Sequence, residues 1–371
     1  MCIRDSLYSD WTDSFSTQIR ASYLELDNQQ IPQDGLQFGE MQINAPAADP
    51  SQPGVIVYLG SDDSRHANKL SYDVTSLKFK GNYYRGDHVY TFGVEREEHD
   101  IYNVFVQHVL TETRFSNIDD FENGFANAIY HNNAPSGDPT DAAAVWGYEI
   151  NTLYGQDEVQ INDRLSLVYG LRYDWYTTDD APGENPDFVA DYGFSNSTNL
   201  DGEGLLQPRF GFTFDWSGDT TIHGGVGLFS GGDPNVWLSN NFSNNNVAQF
   251  GTRGRRYCYT PRLDRAVIDC GGVQRSLFDA DVEYVQIYGP NAGGAAIGPG
   301  YGVQSELVAD VASGTGDNFE LNYLDPNFKL PKEWKFNIGV NHTFPGDYMV
   351  AADLLFTRGF DSPMIKRGDL V

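Results

Sequence analysis

From Arg164 to Tyr176 the chain reads RLSLVYGLRYDWY, with Leu165, Leu167, Tyr169, Leu171, Tyr173 and Trp175 at alternate positions. Ser166, Val168, Gly170, Arg172 and Asp174 fill the gaps. Successive strand side chains point to opposite faces, so this segment makes a strand with one apolar face and one largely polar face. The pattern returns in residues 206–216, 334–344 and 348–356. Roughly 9–11 tilted residues carry a strand across bilayer hydrocarbon, and unbroken alternation over that length suits a closed transmembrane barrel. A soluble β-sandwich also alternates on its inner faces, but strand length and loop asymmetry favour the barrel.

Breaks with turn chemistry fall at 84–87, 161–163, 217–219 and 345–347, where Gly, Pro, Asn and Asp cluster. Long connections alternate with them, at 27–68, 99–144, 177–204 and 230–331. This predicts tight turns at one end and large extracellular loops at the other. Crossings are expected at 14–26, 69–83, 88–98, 145–160, 164–176, 205–216, 220–229, 332–344 and 348–357, with short ribbons at 36–43 and 54–60 inside the first loop. Residues 10–13 read as a further inner turn, and Leu7-Tyr8 as the stump of an earlier strand. The expected fold is all-β: an incomplete antiparallel transmembrane barrel of about nine or ten strands, filling the whole chain. Trp146, Trp175, Trp216, Trp334, Phe344 and Tyr348 fall near strand ends, where amphipathic rings form membrane girdles. Arg172, Asp174, Arg209 and Asp215 sit on polar faces and are expected to line the lumen, either facing cargo or joined in an internal salt-bridge network.

Composition sharpens this picture. Apolar residues make up 40% of the 371, yet no run approaches the roughly 18 apolar residues of a membrane helix. A barrel strand escapes hydropathy scans because half of it faces a polar lumen. The net charge of -28 argues against nucleic acid, whose binding is driven by Lys and Arg, and suits solvated outer loops beside lipid and lipopolysaccharide. The opening Met1-Cys2-Ile3-Arg4-Asp5-Ser6 has no secretory signal. The expectation is therefore a piece of a longer exported protein whose residues 1–6 stand outside the native sequence.

Candidate chemistry is sparse. Cys258 and Cys270 are close enough in sequence for a local disulfide, while Cys2 stands apart, and no C-x-x-C spacing points to zinc. The histidines form no H-x-x-x-H or H-E-x-x-H pair, and His342 is expected to pack near a turn. Residues 119–124 read as a solvated acidic turn rather than a calcium loop. Arg253, Arg255 and Arg256 form the one dense basic cluster and are the candidates for gripping an anionic ligand. The Arg-Gly-Asp triplet at Arg85 reads as turn chemistry, a second occurs at Arg367, and 289–302 is rich in Gly, Ala and Pro. No nucleophile motif or P-loop is present, so neither enzymatic activity nor a cofactor is expected.

Tyr154-Gly155-Gln156-Asp157-Glu158, the turn Asn162-Asp163-Arg164-Leu165 and the strand Tyr169-Gly170-Leu171-Arg172-Tyr173-Asp174 resemble the barrel signature of TonB-dependent outer-membrane receptors. The segments 206–212 and 224–232 add to the likeness. Residues 65–68 with Gly60, 90–95, and Asn327-Phe328-Lys329-Leu330-Pro331 resemble the Oar-like branch of that family. The resemblance implies a barrel of 22 strands in the outer membrane of a Gram-negative bacterium, plugged by an N-terminal domain. It further implies a partner, the TonB complex, engaged through an N-terminal region not recognised in this sequence. A receptor that imports an unidentified ligand is the function so implied. The alternatives are an outer-membrane anchor for a structural or adhesive surface protein, and a soluble carbohydrate-binding β-protein.

Overall fold

The computed structural model describes residues 1–33, 35–36, 38–47, 49, 51–232, 235–255, 277, 282–283, 302–314, 321–346, 348–362 and 364–365. Alternation of apolar and polar residues yields ten long strands: β1 (Cys2–Thr12), β2 (Phe15–Gln29), β3 (Ala67–Arg85), β4 (His88–Val106), β5 (Ala144–Asn162), β6 (Leu165–Thr177), β7 (Gly204–Ser217), β8 (Thr220–Ser230), β9 (Lys332–Phe344) and β10 (Tyr348–Phe360). They form one ten-stranded sheet in which each pairs antiparallel with its neighbours in sequence, from β1 at one edge to β10 at the other. Among the described residues no helix is long and apolar enough to cross a membrane.

Turns between β1–β2, β3–β4, β5–β6, β7–β8 and β9–β10 are two or three residues long, whereas the other connections are long. At the β3–β4 turn Gly86 has φ +59, a left-handed conformation that costs glycine nothing. All tight turns therefore lie at one end of the sheet and all long loops at the other.

Cross-strand register assigns each face. Leu77, Phe92, Val94, Leu153, Leu171, Tyr173, Leu206, Phe210, Ile338 and Leu354 are exposed on one face, with no second layer over it among the described residues. The apolar run of β6 from Leu165 to Trp175 matches the roughly 9–11 residues that span hydrocarbon. Above it the same face turns charged: Arg96 pairs with Glu149 and neighbours Glu98, one register step beyond Val94.

The strands outrun the sequence expectation. The expected crossing at 88–98 is a strand of 19 residues ending at Val106, and β3 and β5 are equally long. At about 3.3 Å per residue this is roughly 60 Å, twice the hydrocarbon thickness. The polar stretch Glu97-Glu98-His99-Asp100 looks like a loop, but a strand standing in water beyond the bilayer carries polar residues on both faces. Residues 2–6 pair with residues 20–24 of β2, so the edge strand begins ahead of the expected stump at Leu7-Tyr8. Among the described residues the long sheet has ten strands.

A second layer packs at the loop end. The expected ribbons appear as Glu40–Ala45 and Val55–Leu59, paired antiparallel. The first also pairs parallel with Glu112–Phe115, and Ala128–Asn133 and Phe250–Arg255 complete a five-stranded sheet. Ile43, Val106, Val109, Phe115, Ile129 and Leu307 form its core, so three separate loops fold together as one body.

Candidate functional site

The face of the sheet opposite the apolar one carries a polar network at mid-height. Thr152, Asp174 and Glu95 stand in one cross-strand row, because β6 pairs with β5 and β5 with β4. The Arg172 guanidinium donates through Nε to Asp174 Oδ2 at 3.1 Å and through Nη1 to Glu95 Oε2 at 3.2 Å. Its Nη2 donates to Thr152 Oγ1 at 3.0 Å, and that hydroxyl donates on to Asp174 at 2.7 Å. Lys78 adds a second cation, 3.4 Å from Glu95 and 3.0 Å from Glu97. Asp174 and Gln207 are buried. A carboxylate removed from water needs this density of donors to offset its lost hydration. The network thus fastens β3 to β7 across the wall.

Toward the tight turns the same face opens. Arg209 rests on the Phe229 ring, 4.5 Å from its centroid, and among the described residues no carboxylate pairs with it. Lys335 approaches the same ring at 5.4 Å while pairing with Glu333. A cavity of about 760 Å³ lies here, with Gly170, Arg172, Arg209, Gly227 and Lys335 in its wall. Glycines at 170, 211, 225 and 227 raise no side chain, so the wall is low and two cations stand above it.

At the loop end this face is roofed. The helix Asn235–Ser243 lies over β5: Trp146 donates its indole N–H to Ser239 Oγ at 3.2 Å and stacks on Phe242 at 5.6 Å. Tyr148, Tyr176, Leu200 and Leu205 complete a buried cluster. This corrects the girdle assignment of Trp146, which is 5% exposed and faces the roof. Its register parity with Thr152 fixes that side; the sequence shows a Trp at a strand end but not which face it takes.

The other expected ring positions differ. Trp175 lies on the apolar face in the row that contains Asn151 and Arg96, at the border where charge begins. Trp216, Phe344 and Tyr348 are exposed beside the tight turns, at 65%, 47% and 74%, and Trp334 stacks on Phe336. Asp215 accepts from Thr221 Oγ1 at 3.0 Å near a turn, apart from the Arg172 network. His342 packs against Phe344 and shares a 2.8 Å hydrogen bond with Thr220. Residues 118–122 form a short helix capped by Asn117. The backbone of Arg253 and Arg255 lies in the outer sheet, on its edge strand Phe250–Arg255. Arg256, Cys258, Cys270, the triplet at Arg367 and residues 289–301 lie outside the described residues.

Sequence reasoning missed one grouping. Asp63, His108 and Glu112 converge from two different loops, and Glu40 with Asp62 adjoins them. The only linear signal is His108 four residues before Glu112, on a segment that no helical pattern marks. Two neighbouring histidines are sealed in the same layer. Burial pushes His66 and His131 down to about 4, against hydrogen bonds to backbone carbonyls that work the other way.

Among solved structures, the chain is similar to the outer membrane transporter YddB from Escherichia coli, at 12% identity over 92% of this chain and 31% of that one, with a TM-score of 0.43. It is also similar to the closed form of the ferric-catecholate import receptor Fiu from E. coli K12, at 12% identity over 96% and 40% of the two chains and a TM-score of 0.40. The Pseudomonas putida toluene transporter TodX aligns at 8% identity over 96% and 67%, with a TM-score of 0.31. The chain spans less than half the length of the first two. No curated protein sequence matches it. Residues 9–359 match the family described as outer membrane beta barrel domain, and the chain belongs to that family, a wall in the outer membrane of a Gram-negative bacterium.

Proposed function

We propose that this chain is the barrel portion of a TonB-dependent receptor that imports a ligand across the outer membrane. The observation that carries the reading is the sidedness of the wall. One face presents uncovered Leu, Phe and Val over a bilayer's depth, and the other presents Arg172, Asp174, Arg209 and a cavity of about 760 Å³. Apolar side chains hold the strands in lipid, while the polar face lines the lumen. Asp215 belongs to that lumen wall at its turn-side end. Trp175, Trp216, Trp334, Phe344 and Tyr348 mark the headgroup zones. The loop layer meets the ligand first, and Arg253 and Arg255 on its edge strand, with Arg256 next to them in sequence, are candidates for an anionic group. The sequence likeness around Gln156-Asp157-Glu158 and Gly170-Leu171-Arg172-Tyr173-Asp174 supports coupling to TonB and, with residues 65–68 and 327–331, the Oar-like branch.

A second reading, an anchored surface or adhesive protein, has its own observation: the outer loops fold into a five-stranded layer with a buried core rather than into separate flexible arms. Uptake separates the two. Cells with and without the gene are offered labelled iron chelates, oligosaccharides and short peptides, with and without an uncoupler of the inner membrane. Import predicts gene-dependent accumulation of one class, lost with the uncoupler. Surface binding that ignores the uncoupler for every class rejects the transport reading and leaves the anchor.

A further inference from the structure

The grouping at Asp63, His108 and Glu112 lies in the loop layer, away from the polar wall. Asp63 sits on the 3-10 turn Asp63–Arg65 that leads into β3. His108 and Glu112 flank a tight turn closed by Thr111 N–H donating to His108 O at 2.9 Å. Glu112 opens a strand registered beside Glu40. Asp63 Oδ2 and Glu112 Oε2 lie 3.0 Å and 3.3 Å from one atom, His108 Nδ1. That nitrogen is sealed from solvent.

The surrounding contacts hold these atoms in place without occupying them. Arg114 takes the other oxygen of Glu112, whose side chain is 4% exposed. Glu40 accepts from the Asp63 backbone N–H at 3.2 Å, and its second oxygen accepts from Gln42 at 2.8 Å. Side chains of His108 and Asp63 keep 15% and 18% exposure, so the group is open on one side. One nitrogen and two carboxylate oxygens suit a borderline cation better than Ca²⁺ or Mg²⁺, which take oxygen. Spacing agrees. Bonds of about 2.0–2.1 Å place neighbouring donors about 3.0 Å apart in an octahedron and about 3.3 Å in a tetrahedron, which accommodates both nitrogen–oxygen separations.

We propose that Asp63, His108 and Glu112 bind one divalent transition-metal ion of the zinc class, stapling the loop after β2 to the loop after β4. Water fills the open side, and the ion locks the two loops into one surface.

The test uses the protein purified in detergent micelles and stripped with a chelator, then titrated with Zn²⁺, Mn²⁺ or Ca²⁺ alone. The expected result is one equivalent of Zn²⁺, bound at least a hundredfold more tightly than Ca²⁺, with slower proteolysis of the outer loops when loaded. His108→Ala and the near-isosteric Asp63→Asn each weaken Zn²⁺ at least tenfold, whereas His342→Gln, far from the group, leaves binding unchanged. Circular dichroism and the protease pattern of the metal-free variants show whether the layer still folds. Less than stoichiometric Zn²⁺, preference for Ca²⁺, or equal affinity in a folded Asp63→Asn protein overturns the assignment.

Discussion

Arg172 ties the polar wall together at mid-height. It is the donor that joins Asp174, Glu95 and Thr152 across three strands. Arg172→Ala leaves buried Asp174 with Thr152 and Gln207 as its remaining side-chain donors. Breaking a buried pair costs about 3–5 kcal/mol, and Arg172's partial exposure brings the expected loss to about 1–3 kcal/mol. The midpoint of denaturant unfolding in micelles measures it, and Arg172→Lys, a point charge without the planar fork, is expected to recover only part. Two tryptophans make a contrasting pair. Trp146→Ala removes an indole stacked on Phe242 and bonded to Ser239, at a cost of about 3 kcal/mol to the roof. Limited proteolysis is expected to cut the outer loops faster in that variant. Trp216→Ala, at an exposed ring beside a tight turn, is expected to leave the loop cleavage rate unchanged. Both read alike as girdle rings in the sequence, because a strand-end ring shows neither which face it takes nor what folds over it.

Strands were the most legible level. Period-two alternation marks β6, β7, β9 and β10 because lipid on one side and water on the other impose different demands at every second position. Legibility failed where that asymmetry ends. Above Arg96 both faces meet water or the loop layer, so β4 continues through Glu97-Glu98-His99-Asp100 with no alternation to announce it. The Asp63–His108–Glu112 group was illegible for a related reason. Its members come from two loops whose mutual packing depends on the parallel pairing of 40–43 with 112–115, a long-range event with no local signature. The Arg172 network was half legible: alternation placed Arg172 and Asp174 on one polar face, and only register supplied Glu95 and Thr152. The same logic yields a paired test on β7. Phe210 and Thr213 are neighbours on opposite faces, and Phe210 is uncovered. Phe210→Arg puts a charge against hydrocarbon and is expected to cost about 2–4 kcal/mol if it lies near the midplane. Thr213→Arg meets the aqueous side and is expected to shift stability by under about 1 kcal/mol. Heat-modified migration in gels, read as the temperature of band conversion, ranks the two. Equal effects would mean that the wall has no lipid side.

At the scale of the molecule, wall and loop layer respond differently to acid. The wall depends on burial against lipid and on ion pairs of β3 to β7, whereas the loop layer encloses His66 and His131 in its core, both fully inside. Each has its folded pKa lowered by burial, to about 4, from an unfolded value near 6.5. A histidine held neutral in the fold binds fewer protons than the unfolded chain between those values. Its contribution is therefore full above about pH 6.5 and falls as the pH drops toward 4, by about 3 kcal/mol per group over the whole range. Two such groups can outweigh a modest layer while the wall beneath, tied through lipid contacts, stays folded. Proteolysis of the outer loops in micelles is expected to accelerate steeply between pH 6.5 and pH 4.5, while heat-modified migration persists. His131→Asn, a neutral side chain of smaller volume, weakens the layer at pH 7.5 by leaving a gap but flattens its acid sensitivity. A variant whose cleavage rate rises with acid as steeply as that of the unaltered protein would show that the buried imidazole at 131 does not govern how the outer layer opens.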